Sequence, residues 1–347
     1  MDYSILTAYI IPTEISATKK VNVGDGFILI AAKRLLAPLV PKYEFSTKVV
    51  LTDEMVDKIN STKALIVVGS NQLNDKYTIF PKADLNAVKR IKVPIIFMGV
   101  GYSGIPEQTV HMSDLTKNIL LETHSNVNYS SWRCFRTTKY LTENLPELKD
   151  KALMTGCPVI YGEDLLSGKK FTETTNKVAV TVTERGTWFS REKNTLDFVA
   201  KQYPNTEKYL VLHQDNREET WKTIFTHLKN WQPPAKAIYW YAKWKGFKVF
   251  IPQTAEETQE FYKTVDLHIG SRLHAHLYCL SIVKRSFLTY VDDRMLGISE
   301  YMQFPLVDPK NIGQYLGYDF EIYRRNAILN FKTMETFVNY LKNLIKN

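Results

Sequence analysis

The densest group of chemically capable side chains is Gly270-Ser271-Arg272-Leu273-His274-Ala275-His276. It follows an apolar run at 265–269 and opens an amphipathic stretch through Leu277 and Leu280, which predicts a strand running into a helix with Ser271 as N-cap. A helix N-terminus offers open backbone N–H groups and a partial positive charge. Arg272 adds a planar fork that fits a carboxylate or a phosphate. The segment is therefore suited to an anion. His274 and His276 stand two residues apart, about 200° around a helix axis, so only one can face a cleft. His274, nearer the helix start and close to Arg272, is assigned the chemical role, and His276 a core or inter-helix hydrogen bond. By spacing alone, a helix cap with a packed polar group fits His274 equally well.

Other candidates are weaker. Gly99, Gly101 and Gly104 in MGVGYSG do not meet the six-residue dinucleotide fingerprint, and a tight turn bringing backbone toward an acceptor at Gly101 and Tyr102 is the simpler reading. Asp292 and Asp293 alone make a poor cation cage, so no metal is expected. Cys134, Cys157 and Cys279 lack disulfide or zinc-ligand spacing and read as buried free thiols. The aromatic run at 231–244 alternates Ile238, Trp240 and Ala242 and reads first as a buried strand, then as a platform for sugar rings.

The elements that must position these residues form a repeating pattern. Short β-branched runs at 5–11, 47–52, 63–70, 93–101 and 127–132 alternate with helix-length amphipathic segments. The pattern resumes at 178–183, 209–214, 237–242, 248–253, 265–270 and 286–291. Such alternation predicts parallel sheets covered by helices on both faces. The polar stretch Gly162 to Asn176 reads as a linker. The fold class is thus α/β, with two Rossmann-like doubly wound domains, 1–165 and 177–320, facing each other across a cleft. A final helix, 321–347, should pack across them through Leu329, Met334, Phe337, Tyr340, Leu341 and Leu344. Ligands of such sheets bind beyond the carboxyl ends of the strands.

Composition agrees with a folded chain: 347 residues, 44% hydrophobic and 23% charged. The net charge of +9 is spread along the sequence, which favours a lysine-rich solvated surface over nucleic-acid binding. No apolar run approaches membrane-spanning length and no signal-type leader is evident, so a cytoplasmic protein is expected.

Further motifs fall in a recognisable order. IGSRLHAHLYCLS at 269–281, followed by TYVDDRMLGISEYM at 289–302, resembles the C-terminal signature of the polysaccharide pyruvyl transferase family. VNVGDGFIL, with Asn22, Gly24 and Asp25, is similar to the family's Asn-x-Gly-Asp element. Ser131-Trp132-Arg133 with Thr137 resembles its Ser-x-Arg stretch, and Thr155-Gly156-Cys157-Pro158 its Gly-Asp-Pro turn. Three departures stand out. Only Gly69 remains of a glycine run in VVGSNQL; Cys134 and Cys157 replace aspartates; Arg294 replaces a lysine.

The resemblance implies a glycosyltransferase-B type fold with the active site between the domains. It implies phosphoenolpyruvate as co-substrate, no further cofactor, and a sugar acceptor, with a lipid-linked one at the inner membrane face among the options. Arg272, Arg294, Arg133 and the helix start at Ser271 would hold the donor. His274 would act as acid and Asp25 as base, with Asn22, Gly24, Gly101 and Tyr102 on the acceptor side. Two rivals remain at this point. One is a nucleotide-sugar glycosyltransferase using Glu184 or Glu300 on a ribose; the other is a non-catalytic polyanion-binding protein on a degenerate scaffold.

Overall fold

A computed structural model describes residues 2–9, 22–103, 111–214, 233–234 and 236–346, without the side chains of Asp293 and Arg294. Two main parallel sheets organise the chain. The first contains β1 (Tyr3–Thr7), β2 (Pro41–Ser46), β3 (Leu65–Val68) and β4 (Ile95–Met98) in the order β2-β1-β3-β4. Ile5 pairs with Ile66 and Ile66 with Ile96, and β1, β3 and β4 are buried along their whole length, as strands with helices on both faces must be. A short parallel pair, β5 (Ser130–Trp132) and β6 (Ala152–Met154), extends this sheet beyond β4: Val100 bridges to Trp132, and the Gly99 N–H donates to the Ser131 carbonyl.

The second sheet contains β7 (Lys177–Thr181), β8 (Glu207–Val211), β9 (Lys248–Phe250), β10 (Leu267–Gly270), β11 (Arg285–Thr289) and β12 (Leu306–Val307). Its order, β12-β11-β10-β7-β8-β9, reverses direction between β7 and β10. The first sheet reverses between β1 and β3. A crevice opens beyond the strand ends at such reversals because the connecting helices leave to opposite faces.

The helix Val23–Leu36 lies between the sheets. Asn22 caps it through a 3.2 Å bond from the Gly24 N–H, and the Val23 N–H donates to the His213 carbonyl just past β8. Gly26 admits a neighbouring helix, since a Cβ there would stand 2.5 Å from that of Ala255. Phe27, with its ring 5.2 Å from that of Tyr278, belongs to one continuous apolar cluster that joins the second sheet to one face of the first. A separate cluster around Phe97, Trp132 and Leu141 lines the other face of the first sheet.

The helix Phe320–Lys346 buries Tyr323, Met334, Phe337 and Leu341. Arg324 reaches back along the segment after residue 162, donating to the carbonyls of Leu165 (2.8 Å) and Lys169. Asn128 donates its backbone N–H to Tyr340. Leu329, expected on the packed stripe, is 61% exposed.

Three expectations need correction. Residues 237–242 are helical, within Ala237–Trp244. Ile238 and Ala242 are one turn apart and share the buried face, so a spacing compatible with period two serves a period-3.6 element. Residues 47–52 form a turn leading to the helix Asp53–Asn60, and the strand precedes them as β2; Val49 and Val50 are exposed there. The segment after Gly162 starts with a short helix, Glu163–Leu166, before becoming irregular. Among the described residues no helix is long and apolar enough to cross a membrane. All three cysteines are buried free thiols.

Candidate active site

The two crevices meet in one cleft of about 690 Å³, lined from the first half by Asn22, Gly24, Asp25, Ser70, Asn71 and Arg133. The second half supplies Thr183, Arg185, His213 and the turn Ser271 to His274. The sequence motifs far apart in the chain thus share one space.

The second sheet builds the floor. The helix after β10 is Leu273–Ser281, and its N-cap is Arg272 rather than Ser271. Ser271 donates its backbone N–H to the Thr181 carbonyl, which holds it in the β10 extension, and its buried hydroxyl finds no hydrogen-bond partner among the described residues. Arg272 is largely committed to the protein. Its Nε donates to the Val182 carbonyl at 2.8 Å, and its Nη2 donates to Thr183 (3.2 Å) and to the Glu184 carboxylate. Only its Nη1 makes no bond to a described residue. The expected ligand fork is therefore mainly a brace for the turn that follows β7.

Glu184 is 3% exposed and takes a left-handed backbone, φ 61°, which is uncommon for a residue with a Cβ and typical of functional turns. Its carboxylate also accepts from the His213 and Gln214 N–H groups at 2.7 and 3.0 Å. The result places His213, which the sequence reading missed, on the cleft wall. Its Nε2 meets the Tyr262 hydroxyl at 2.9 Å, while its buried Nδ1 has no hydrogen-bond partner among the described residues. Burial, and then the nearby Arg272, push its pKa well below the ordinary histidine value, so the ring is neutral.

Beneath the floor runs a polar chain. The Arg272 N–H donates to the Thr181 hydroxyl, which meets His268 Nε2 at 2.8 Å. His268 Nδ1 and His276 Nδ1 both contact the Ser286 hydroxyl, at 2.7 and 2.8 Å. Burial lowers the His268 pKa to about 3 and that of His276 well below its usual value. His276 is thus a neutral core residue. Alongside lies Glu192, whose Oε1 accepts the Thr183 N–H and whose pKa burial raises to about 7.

His274 is half-buried at the cleft, next to the first turn of the helix Val23–Leu36. A Cβ on Gly24 would stand 3.6 Å from His274 Nδ1 and 3.5 Å from His213 Nδ1, ordinary contact distances, so both rings lie directly against the helix start. Asp25 lines the same space and accepts a 3.2 Å bond from the Asn22 side-chain amide.

The first sheet contributes a different kind of wall. Arg133 follows β5, is 3% exposed and lines the cleft, yet its Nε has no hydrogen-bond partner and no described carboxylate lies within salt-bridge range. Gly101 makes room for it: a Cβ there would come within 2.2 Å of the guanidinium carbon. Gly101 thus supports a cation rather than approaching an acceptor with its backbone. Tyr102 does not line the cleft; its buried ring stacks on that of Tyr140, centre to centre 3.9 Å. The Cys157 thiol, whose pKa burial pushes up to about 11, stays protonated and cannot neutralise Arg133, with which it interacts electrostatically.

Ser70 and Asn71, in the loop after β3 where the glycine run is missing, line the cleft, and Asn71 Oδ1 is buried without a hydrogen-bond partner among the described residues. Left-handed backbone at Gly69 and Ser70 was the signal that could have been inferred only from the structure. Arg185 stands exposed at the cleft. The side chain of Arg294 lies outside the described residues. Among the described residues no three His, Cys, Asp or Glu side chains are grouped closely enough to hold a metal ion.

Two parallel sheets with the site between their reversal points define a protein of the glycosyltransferase-B fold. The S. aureus MnaA structure with UDP shares this fold (12% identity, TM-score 0.52, 99% of this chain and 98% of that one). So does a UDP-N-acetylglucosamine 2-epimerase (8% identity, TM-score 0.50, coverage 97% and 94%). No curated protein matches the sequence. The profile of the family described as polysaccharide pyruvyl transferase matches residues 22–287, and the chain belongs to that family.

Proposed function

We propose that the protein transfers the pyruvyl unit of phosphoenolpyruvate onto two hydroxyls of a glycan sugar, forming a cyclic ketal and releasing phosphate. The observation that carries this reading is Arg133: a buried cation without a carboxylate, facing a cleft that also holds a helix N-terminus and His274. Burying an unpaired charge is costly, so such a site is stabilised by an anionic ligand. Phosphoenolpyruvate carries two anionic groups, and Arg133 with Arg185 and the Leu273 end of the helix can receive them.

In this reading His274 protonates the enol methylene, which becomes the methyl group. The central carbon gains cationic character and is attacked by one sugar hydroxyl, whose proton passes to Asp25. The second hydroxyl then closes the ketal as the carbon–phosphate oxygen bond breaks and phosphate leaves. One hydroxyl proton balances the new methyl C–H and the other leaves with phosphate. Arg272 and Glu184 hold the floor rigid, and neutral His213 offers its Nδ1 to an acceptor hydroxyl. The carboxylates that a ribose would need are engaged: Glu184 on Arg272, and Glu300 on Arg136.

The acceptor is taken to be a glycan intermediate, free or carried on a lipid. Phosphate release from phosphoenolpyruvate, measured over a panel of glycosides with chelator present, tests the proposal. Release that requires a glycoside and is lost in His274→Ala supports it. No release with any glycoside, together with thermal stabilisation by a nucleotide sugar, overturns it.

A further inference from the structure

The helix Ala237–Trp244 is turned partly inside out. Its buried face is Ile238 and Ala242, whereas Trp240 and Trp244 are 60% and 75% exposed. Trp240 stands four residues after Lys236, three before Lys243 and four before Trp244, so the two lysines and the second indole flank it on one outward face. Each indole touches a tyrosine ring, Trp240 that of Tyr239 at 5.0 Å and Trp244 that of Tyr241 at 5.5 Å, yet each leaves more than half of its surface open and so forgoes burial it could have inside.

The charges around this face are cationic. Lys243 Nζ stands 4.9 Å from the Tyr239 ring centre and 5.8 Å from that of Trp240; Lys245 Nζ stands 4.7 Å from that of Trp244. Lys245 is also paired with Asp197 at 2.8 Å. No described carboxylate lies within salt-bridge range of Lys236 or Lys243. Amphipathic indoles beside lysine ammonium groups are the composition that settles at the boundary between acyl chains and anionic headgroups.

We propose that this face docks the protein on an anionic bilayer, with the two indoles at headgroup depth and Lys236 and Lys243 on lipid phosphates. The occupant follows from charge complementarity. A purely apolar partner would leave the ammonium groups unpaired, and protein interfaces, though rich in tryptophan, are poor in lysine, whereas both belong at a headgroup boundary. The proposal complements a lipid-carried acceptor, but it is measured without catalysis and stands or falls separately.

The test is co-sedimentation of the full chain with vesicles of phosphatidylcholine alone and mixed with phosphatidylglycerol. The wild type should partition onto the mixed vesicles and not onto the neutral ones. The doubly substituted Trp240→Ala, Trp244→Ala protein, altered only at exposed positions, should lose at least about tenfold in partition. Lys236→Gln with Lys243→Gln should lose roughly fivefold per lysine, an effect that added salt imitates in the wild type. Phosphate release with a soluble glycoside should be unchanged in both. Equal binding by the tryptophan variant overturns the proposal. So does a wild-type dimer in solution that this variant dissociates, or retention on immobilised glycan that depends on the two indoles.

Discussion

The two halves of the cleft treat charge in opposite ways. On the second sheet the full charges of the floor are paired within the protein: Arg272 braces Val182, Thr183 and Glu184, and Glu184 also holds two backbone amides, while the neutral Ser271 hydroxyl and His213 Nδ1 stay open. On the first sheet Arg133 is buried with no described carboxylate in range, and its Nε and the Oδ1 of half-buried Asn71 meet no described partner. The charge-paired half is a platform whose role is rigidity, and in the proposed reading the other half is where the ligand supplies the missing charge. Stability and affinity should therefore separate along this line.

Substitution on the platform gives the largest loss of stability. Arg272→Ala leaves the buried Glu184 carboxylate without its cation and should cost about 3–5 kcal/mol, read by chemical denaturation, with activity falling as the fold loosens. The opposite wall should behave inversely. Arg133→Ala should lower kcat/KM for phosphoenolpyruvate at least about a hundredfold, near 2.7 kcal/mol, while the melting temperature holds or rises. A large loss of stability there, with affinity intact, would break the contrast and make Arg133 structural.

Glu192 sharpens it through pH. Its pKa is about 7 in the fold against 4.5 in the unfolded chain, so folding retains a proton that the unfolded chain releases between those values. The associated stability is complete below pH 4.5 and is lost as pH rises through 7. Glu192→Gln should flatten that slope and gain on the order of 2 kcal/mol over the wild type at pH 8, as measured by urea unfolding across pH. The smallest effect is expected at Tyr102→Phe, which retains the stack on Tyr140 and should change kcat/KM less than about threefold.

Much of this organisation was legible in the sequence because it is carried by period and order. Apolar strands such as 63–70 announce a parallel sheet, and the group at 270–276 announces a strand running into a helix. What periodicity cannot give is the partner of a long side chain. Arg272 is suited to a substrate anion on its own, but the left-handed turn at Glu184 brings it a carboxylate 88 residues away in sequence. His213 was invisible because it lacks a motif and is drawn to the cleft by that same carboxylate. The 237–242 misreading has a comparable origin, since Ile238 and Ala242 satisfy both periods.

The contact between Gly101 and Arg133 also couples the two positions. With arginine at 133 in its present rotamer, a Cβ at 101 would overlap the guanidinium, so filling position 101 requires the end of the arginine to swing aside. Once position 133 is shortened, 101 is released. A change at 101 can therefore move the charge out of its place in the cleft while the arginine itself stays in the sequence, so the presence of Arg133 alone does not report a working anion site; the pair does.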